Sequence, residues 1–156
     1  MSKSLKRVKR AAEEAGLEIE ILEMAEGTRT AADAAAAAGC EIDQIVKSIV
    51  FRGEDDGQVL LFLTAGGNRV DDRKASAVAG EPLGKADAAL IRGQTGFAIG
   101  GIAPIGHLNP IRAFIDPRLM EFEVIWAAAG TPRHVFAANP RDIARVSGAQ
   151  TADFTE

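Results

Sequence analysis

The sequence predicts a mixed α/β fold: a single domain in which a central β-sheet is surrounded by short helices. Two apolar runs, Ile45–Phe51 and Gln58–Thr64, flank a Glu54-Asp-Asp-Gly57 turn and read as a hairpin of central strands. Short capped segments with helical periodicity lie between strand-like ones, and the spacings mix hairpins with crossovers. No linker, repeat or Rossmann-type βαβ succession appears. A chain of 156 residues fits one domain, 1–156, with a core from about residue 5 to 148.

In chain order, residues 4–15 place Leu5, Val8, Ala12 and Ala15 at i, i+3, i+7 and i+10, which predicts an amphipathic helix stopped by Gly16. Residues 17–24, LEIEILEM, alternate Leu17, Ile19 and Ile21 with Glu18 and Glu20, a strand with one solvated face. Thr30-Ala-Ala-Asp33 resembles a capping box ahead of an alanine run ended by Gly39. Alanine has high helix propensity and little volume, so this helix is expected to pack close to a sheet. A helix over Val70–Ala79 starts at Asp71 or Asp72, and a helical turn covers Asp87–Arg92. Strands are expected at Ile111–Ile115, Phe122–Ala127 and His134–Ala137. Asn139 then caps a last helix, with Pro140 in its first position and Gly148 as its stop. The tail after Gln150 is expected to fray.

Hydrophobic residues make up 47% and charged residues 26%, a globular composition. No apolar run approaches the ~20 residues that span a bilayer, and no signal-peptide core follows the basic start, so a cytoplasmic protein is expected. The lone Cys40 excludes an internal disulfide and reads as a small buried thiol. With only His107 and His134 beside it, no metal site is expected. The net charge of −4 argues against broad coating of nucleic acid. Its distribution is uneven. Lys3, Lys6, Arg7, Lys9 and Arg10 fall in the first ten residues without an acid, leaving 13 basic and 22 acidic side chains elsewhere. That basic face reads either as a contact for a few phosphates or as a solvated helix surface.

Two features could carry chemistry. Lys47 sits inside an apolar strand, where a charge is costly unless it is paired or reaches a cleft. It is either a strand-end lysine that snorkels to water or a fixed cation at a pocket floor. The stretch GFAIGGIAPIGHLNP, residues 96–110, holds four glycines and two prolines. It is either an ordinary turn or a loop in which Gly100, Gly101 and Gly106 bring backbone N–H groups to a ligand, stiffened by Pro104. His107 could hydrogen bond beside that loop, and His134 reads as structural. No Ser/His/Asp order or carboxylate pair stands out. A cation and a backbone donor loop suit the positioning of an ester and a water.

The ordered segments Thr30-Ala-Ala-Asp-Ala-Ala…Gly39, Gln44-Ile-Val-Lys-Ser-Ile-Val-Phe51, Val70-Asp-Asp-Arg-Lys74, Thr95-Gly-Phe-Ala-Ile-Gly-Gly-Ile-Ala-Pro-Ile-Gly106 and Ile115-Asp116 resemble the YbaK/EbsC family. Its members are similar to the editing domain of prolyl-tRNA synthetase. The resemblance runs from about Leu5 to Gly148. It implies a mixed α/β fold and a free-standing hydrolase that deacylates mischarged tRNA, chiefly tRNA(Pro) carrying a small wrong amino acid such as Cys or Ala. Its implied partners are the tRNA acceptor end and prolyl-tRNA synthetase, and it implies no cofactor. By resemblance Lys47 holds the terminal adenosine or its phosphate. The loop backbone at Gly100, Gly101 and Pro104 holds the aminoacyl group and polarises its carbonyl. The neighbouring ribose hydroxyl is expected to help activate water. Thr30, Ser48, Phe51 and Ile102 are the expected pocket walls. Ala103 and His107 complete the substrate side, with no fixed role carried onto His107. Ala103 stands where the family's common loop has serine. That departure motivates an alternative, a non-catalytic tRNA-binding or synthetase-associated module. A third reading is hydrolysis of a small acyl ester.

Overall fold

The computed structural model describes residues 2–24 and 30–156. Among these, α-helices occupy Lys3–Glu14 (α1), Ala31–Ala38 (α2), Asp72–Ala79 (α3), Ala88–Thr95 (α4) and Pro140–Ser147 (α5). Strands occupy Glu20–Glu23 (β1), Val46–Gly53 (β2), Val59–Ala65 (β3), Leu83–Lys85 (β4), Arg112–Ile115 (β5), Ile125–Thr131 (β6), His134–Ala138 (β7) and Gln150–Thr151 (β8). No helix among the described residues is long and apolar enough to cross a membrane.

The strands form two sheets. The larger has the order β4-β2-β3-β5-β8, antiparallel across β2–β3 and β2–β4 and parallel across β3–β5 and β5–β8. The smaller, β1-β7-β6, is antiparallel throughout. A parallel bridge between Ile45 and Trp126 joins them. The fold class is therefore as expected, with the β6–β7 hairpin and β1 set apart from the central sheet.

Strand alternation divides the core between the faces of the larger sheet. Val59, Leu61 and Leu63 of β3 enter the main core, which runs from Leu5 to Ile143. Leu60 and Phe62 enter a smaller aromatic one with Phe114 and Phe154. Every residue of β3 is buried, as a central strand requires. β4 pairs only with Phe51–Gly53, so Val46–Val50 have an open edge with no further strand among the described residues. That uncovered half of β2 is where the cavity forms.

The helix starts follow local capping chemistry. Ser2, Thr30, Asp71, Asp87 and Asn139 each accept backbone N–H groups, and Thr30 and Asp33 form the full reciprocal box. Some features depart from expectation. The alanine helix α2 buries only Ala35 and rests against the 3-10 turn Ile42–Gln44 rather than close on a sheet. Cys40, just beyond it, is half-buried. β6 begins three residues later than expected because Leu119–Glu121 forms a 3-10 turn, and cross-strand pairing with β7 carries it through an alanine-rich segment. β4 has no counterpart in the sequence reading.

The tail does not fray. β8 pairs with β5, Glu156 N–H donates to Arg69 O (2.9 Å) and Lys74 Nζ donates to Thr155 O (2.9 Å). Phe154 is 0% exposed, with its ring centroid 5.0 Å from that of Phe62. One aromatic anchor suffices where periodicity gives no signal. Phe154→Ala is expected to cost about 3–5 kcal/mol, seen as a lower denaturant midpoint in equilibrium unfolding. A shift below 1 kcal/mol would mean that the tail is not anchored.

Candidate active site

A cavity of about 210 Å³ opens between the two sheets. The uncovered half of β2 supplies Val46, Lys47 and Ser48, and α2 supplies Ala31 and Ala34, with Thr30 at its cap. The β6–β7 hairpin supplies Trp126, Ala128, Pro132 and Val135 opposite, and the loop after α4 supplies Gly100 and Ile102. The alanines matter through what they lack. Larger side chains on α2 or at 128 would fill the space.

Lys47 is the cation of this lining. Its Nζ donates to the carbonyl of Asn68, which leaves two of its three donors for other acceptors. Burial first, then the charge of Arg69, holds its pKa below the ordinary lysine value, while Asp116 and Asp43 pull the other way. The Asn68 carbonyl is itself held in place. Asp116, 2% exposed, accepts from Ala65 N–H (3.1 Å), Asn68 Nδ2 (2.9 Å) and Arg118 N–H (2.9 Å). Asp43 accepts from Gly67 N–H (2.9 Å) and Arg118 Nε (2.9 Å) on the other side of the same turn. Two carboxylates thus fix turn 65–68 against the base of the site.

The loop is fixed at several points. Ser48 Oγ donates to Ile102 O (2.8 Å), tying it to β2. Gly100 has φ +92° and lines the cavity, and its N–H has no acceptor among the described residues. The Gly101 N–H is already donated to Ala98 O (3.0 Å). A Cβ on Gly101 would lie 2.7 Å from the Thr131 backbone, so only glycine lets the loop lie on the hairpin. Arg7 of α1 grips both loop ends. Its Nε donates to Gly106 O (2.6 Å) and its Nη2 to Gly96 O (2.8 Å), with the guanidinium 4.5 Å above the Phe97 ring.

Thr30, Lys47, Ser48, Gly100 and Ile102 therefore come together around one cavity. The other expected site residues do not line it. Gly101 packs on the hairpin, and Ala103 and Pro104 are buried on the far side of the loop. Phe51 is four residues along β2, its ring 5.5 Å from that of Phe62 in the aromatic core. His107 lies in a groove between α1 and α5, where Nε2–H donates to Ala103 O (2.7 Å). That bond, with the Phe97 ring at 5.7 Å, makes it a half-buried structural histidine. His134 Nδ1 shares a hydrogen bond with Thr131 Oγ1 (2.6 Å) at the hairpin turn. The cavity lining contains no carboxylate, histidine or cysteine among the described residues. The sequence reading missed Asn68 and the clamp role of Arg7. Their partners lie 21, 89 and 99 residues away, and no local pattern marks them.

Two measurements test this framework. Asp116→Ala leaves the Ala65 N–H and the Asn68 amide unpaired and is expected to cost about 3 kcal/mol in equilibrium unfolding. A loss under 0.5 kcal/mol would show that the turn holds without it. Burial, and secondarily the charge of Arg7, lowers the His107 pKa below its ordinary 6.5, against the opposing bond to Ala103. The unfolded chain then binds this proton more readily. The stabilisation is complete above about pH 6.5 and is lost as pH falls from there toward the folded pKa. His107→Gln is expected to flatten the stability profile between pH 7.5 and about 5, and an unchanged slope would assign the dependence to another group.

The geometry has parallels in known proteins. One solved structure, described as "a putative trans-editing enzyme for prolyl tRNA synthetase", is 45% identical, with a TM-score of 0.93 over 100% of this chain and 99% of that one. The structure of the hypothetical protein APE2540 is 27% identical, with a TM-score of 0.87 over 96% of this chain and 99% of that one. The uncharacterized protein YwhH of Bacillus subtilis (strain 168) is 28% identical over 144 residues, 92% of this chain and 91% of its own length. The sequence model of the aminoacyl-tRNA editing domain matches residues 25–146, a span that contains the cavity's lysine, its alanine helix, its loop and its hairpin wall. With that match, this chain belongs to the aminoacyl-tRNA editing domain family.

Proposed function

We propose that the protein is a trans-editing deacylase that hydrolyses mischarged aminoacyl-tRNA, with tRNA(Pro) bearing a small wrong amino acid such as alanine or cysteine as its substrate. The observation that carries this reading is the cavity itself: among the described residues its lining holds one cation, Lys47, and the Gly100 backbone, whose N–H has no acceptor there. At about 210 Å³ it is below the roughly 300 Å³ at which drug-sized pockets begin, which favours a small aminoacyl group over a large one.

In this reading the amino acid side chain lies against Ala31, Ala34, Ala128 and Val135. Lys47 holds the terminal nucleotide, and the N–H of Gly100 meets the ester carbonyl oxygen. Water adds to the carbonyl carbon, and the negative charge that develops on its oxygen is met by these fixed donors. The ester C–O bond then breaks, and the ribose oxygen leaves with a proton. The products are a free amino acid and uncharged tRNA. The described lining offers no carboxylate, histidine or cysteine as general base, and the family resemblance implies that the neighbouring ribose hydroxyl helps to activate the water. Ala103 is fully buried and outside the cavity lining, so its lack of a hydroxyl takes no group from the proposed site.

Deacylation of mischarged tRNA(Pro) by wild type and by Lys47→Ala tests the assignment. Turnover is expected to fall about a hundredfold or more in a variant that remains folded. Unchanged hydrolysis would put the site elsewhere.

A further inference from the structure

The cations of α1 are arranged against the needs of the helix. The N-terminus of a helix carries about +0.5 charge, so acids suit its first turn and bases its last. In α1 the first turn has no acid and the last no base. Lys3 and Lys6 stand near its start, and Glu13 and Glu14 near its end. A local rule broken without a stabilising return marks a surface with another use.

Lys3, Lys6 and Arg10 recur at i, i+3 and i+7, one stripe of the helix, and all three are exposed. None takes part in an ion pair among the described residues. Arg7, on the same helix, is committed to the loop carbonyls and stands apart from this set.

The stripe is carried by a helix that packs against two of the elements forming the cavity wall. Its first turn rests on the hairpin, where a Cβ on Gly130 would come 2.8 Å from Ser4 O. Gly130 leads directly into Thr131 and the cavity-wall residue Pro132. Its second turn, through Arg7, holds both ends of the loop that carries Gly100. Seven residues of helix span about 10 Å, enough for the three side chains to reach neighbouring phosphates of one strand. Beyond residue 10 the chain has 13 basic against 22 acidic side chains, so a polyanion is repelled on average and drawn to this stripe.

We infer that Lys3, Lys6 and Arg10 dock the phosphate backbone of the RNA whose aminoacylated 3′ end enters the cavity. This inference rests on the editing reading above. It gives α1 two roles: Arg7 holds the loop, and the outer stripe orients the substrate.

The test is the triple variant Lys3→Gln/Lys6→Gln/Arg10→Gln, with three probes: alanyl-tRNA(Pro), uncharged tRNA(Pro), and 3′-alanyl-adenosine, which has no phosphate. For alanyl-tRNA the variant is expected to raise KM about tenfold or more at 0.1 M salt and to leave kcat unchanged. The slope of log affinity against log salt should flatten by about 2 to 3, so that wild type loses about 40-fold more affinity than the variant between 50 and 200 mM. Turnover of alanyl-adenosine should be equal in the two proteins. An unchanged KM and salt slope, or an equal loss on alanyl-adenosine, would overturn the proposal. If wild type cleaves neither ester, the editing reading fails and binding of uncharged tRNA decides the stripe by itself. Weakened, salt-flattened binding by the variant supports it there, and identical binding rejects it.

Discussion

The site depends first on a buried carboxylate that never touches it. Asp116 is almost fully enclosed, and an enclosed charge persists only if hydrogen bonds replace its water. It has three donors, and each belongs to a different piece of backbone that must be placed: the end of β3, the turn that follows, and the segment after β5. This is where the antiparallel half of the large sheet meets its parallel half. Satisfying Asp116 fixes turn 65–68, and the turn presents the Asn68 carbonyl to Lys47. The cation of the cavity is thus positioned by an anion one residue removed, which keeps the cavity from being neutralised by a direct ion pair.

The second constraint is the stiffness of the loop. A backbone donor is useful to an ester only if it does not have to be reorganised when charge develops. Ser48 ties the loop to β2 in the middle, Gly101 lies flush on the hairpin, and Arg7 grips both ends through charge-assisted bonds. Pro104 and His107 contribute from behind, where His107 accepts the enclosed neutral state in return for a bond to Ala103. These residues support the loop rather than meet the ligand. The division explains how a loop that carries little side-chain chemistry can still be fully specified.

The cavity is made by small residues between two sheets that elsewhere share the main core. Ala31 and Ala34 face Ala128 and Val135 across it, and the bridge between Ile45 and Trp126 sets the distance between the walls. α2 is a poor core helix because it buries so little, and a good wall for the same reason. α1 is the opposite case. Its apolar stripe of Leu5, Val8 and Ala12 is fully committed to the core, which leaves Lys3, Lys6 and Arg10 to face outward.

The sequence by itself determined what is local. Caps at Thr30, Asp71 and Asn139, glycine stops, the β2–β3 hairpin and the improbable lysine in an apolar strand are all written in short windows, because capping, turns and alternation act over a few residues. Lys47 and the Gly100 loop were legible for that reason, as was the family likeness carried by their order. Only the tertiary structure decided which candidates share a cavity. Phe51 follows Lys47 on the same strand face and shares a groove with it and Ile49, but four residues of rise take it out of the main cavity and against the aromatic core. His107 and Pro104 are seven and four residues from Gly100 and lie on the other side of the loop. Arg7 reads as one more surface cation until the fold brings it to carbonyls 89 and 99 residues away. Phe154 anchors a tail with no periodicity to announce it. Such contacts depend on which surfaces the chain buries against each other, and that is a property of the whole packing rather than of any window of sequence.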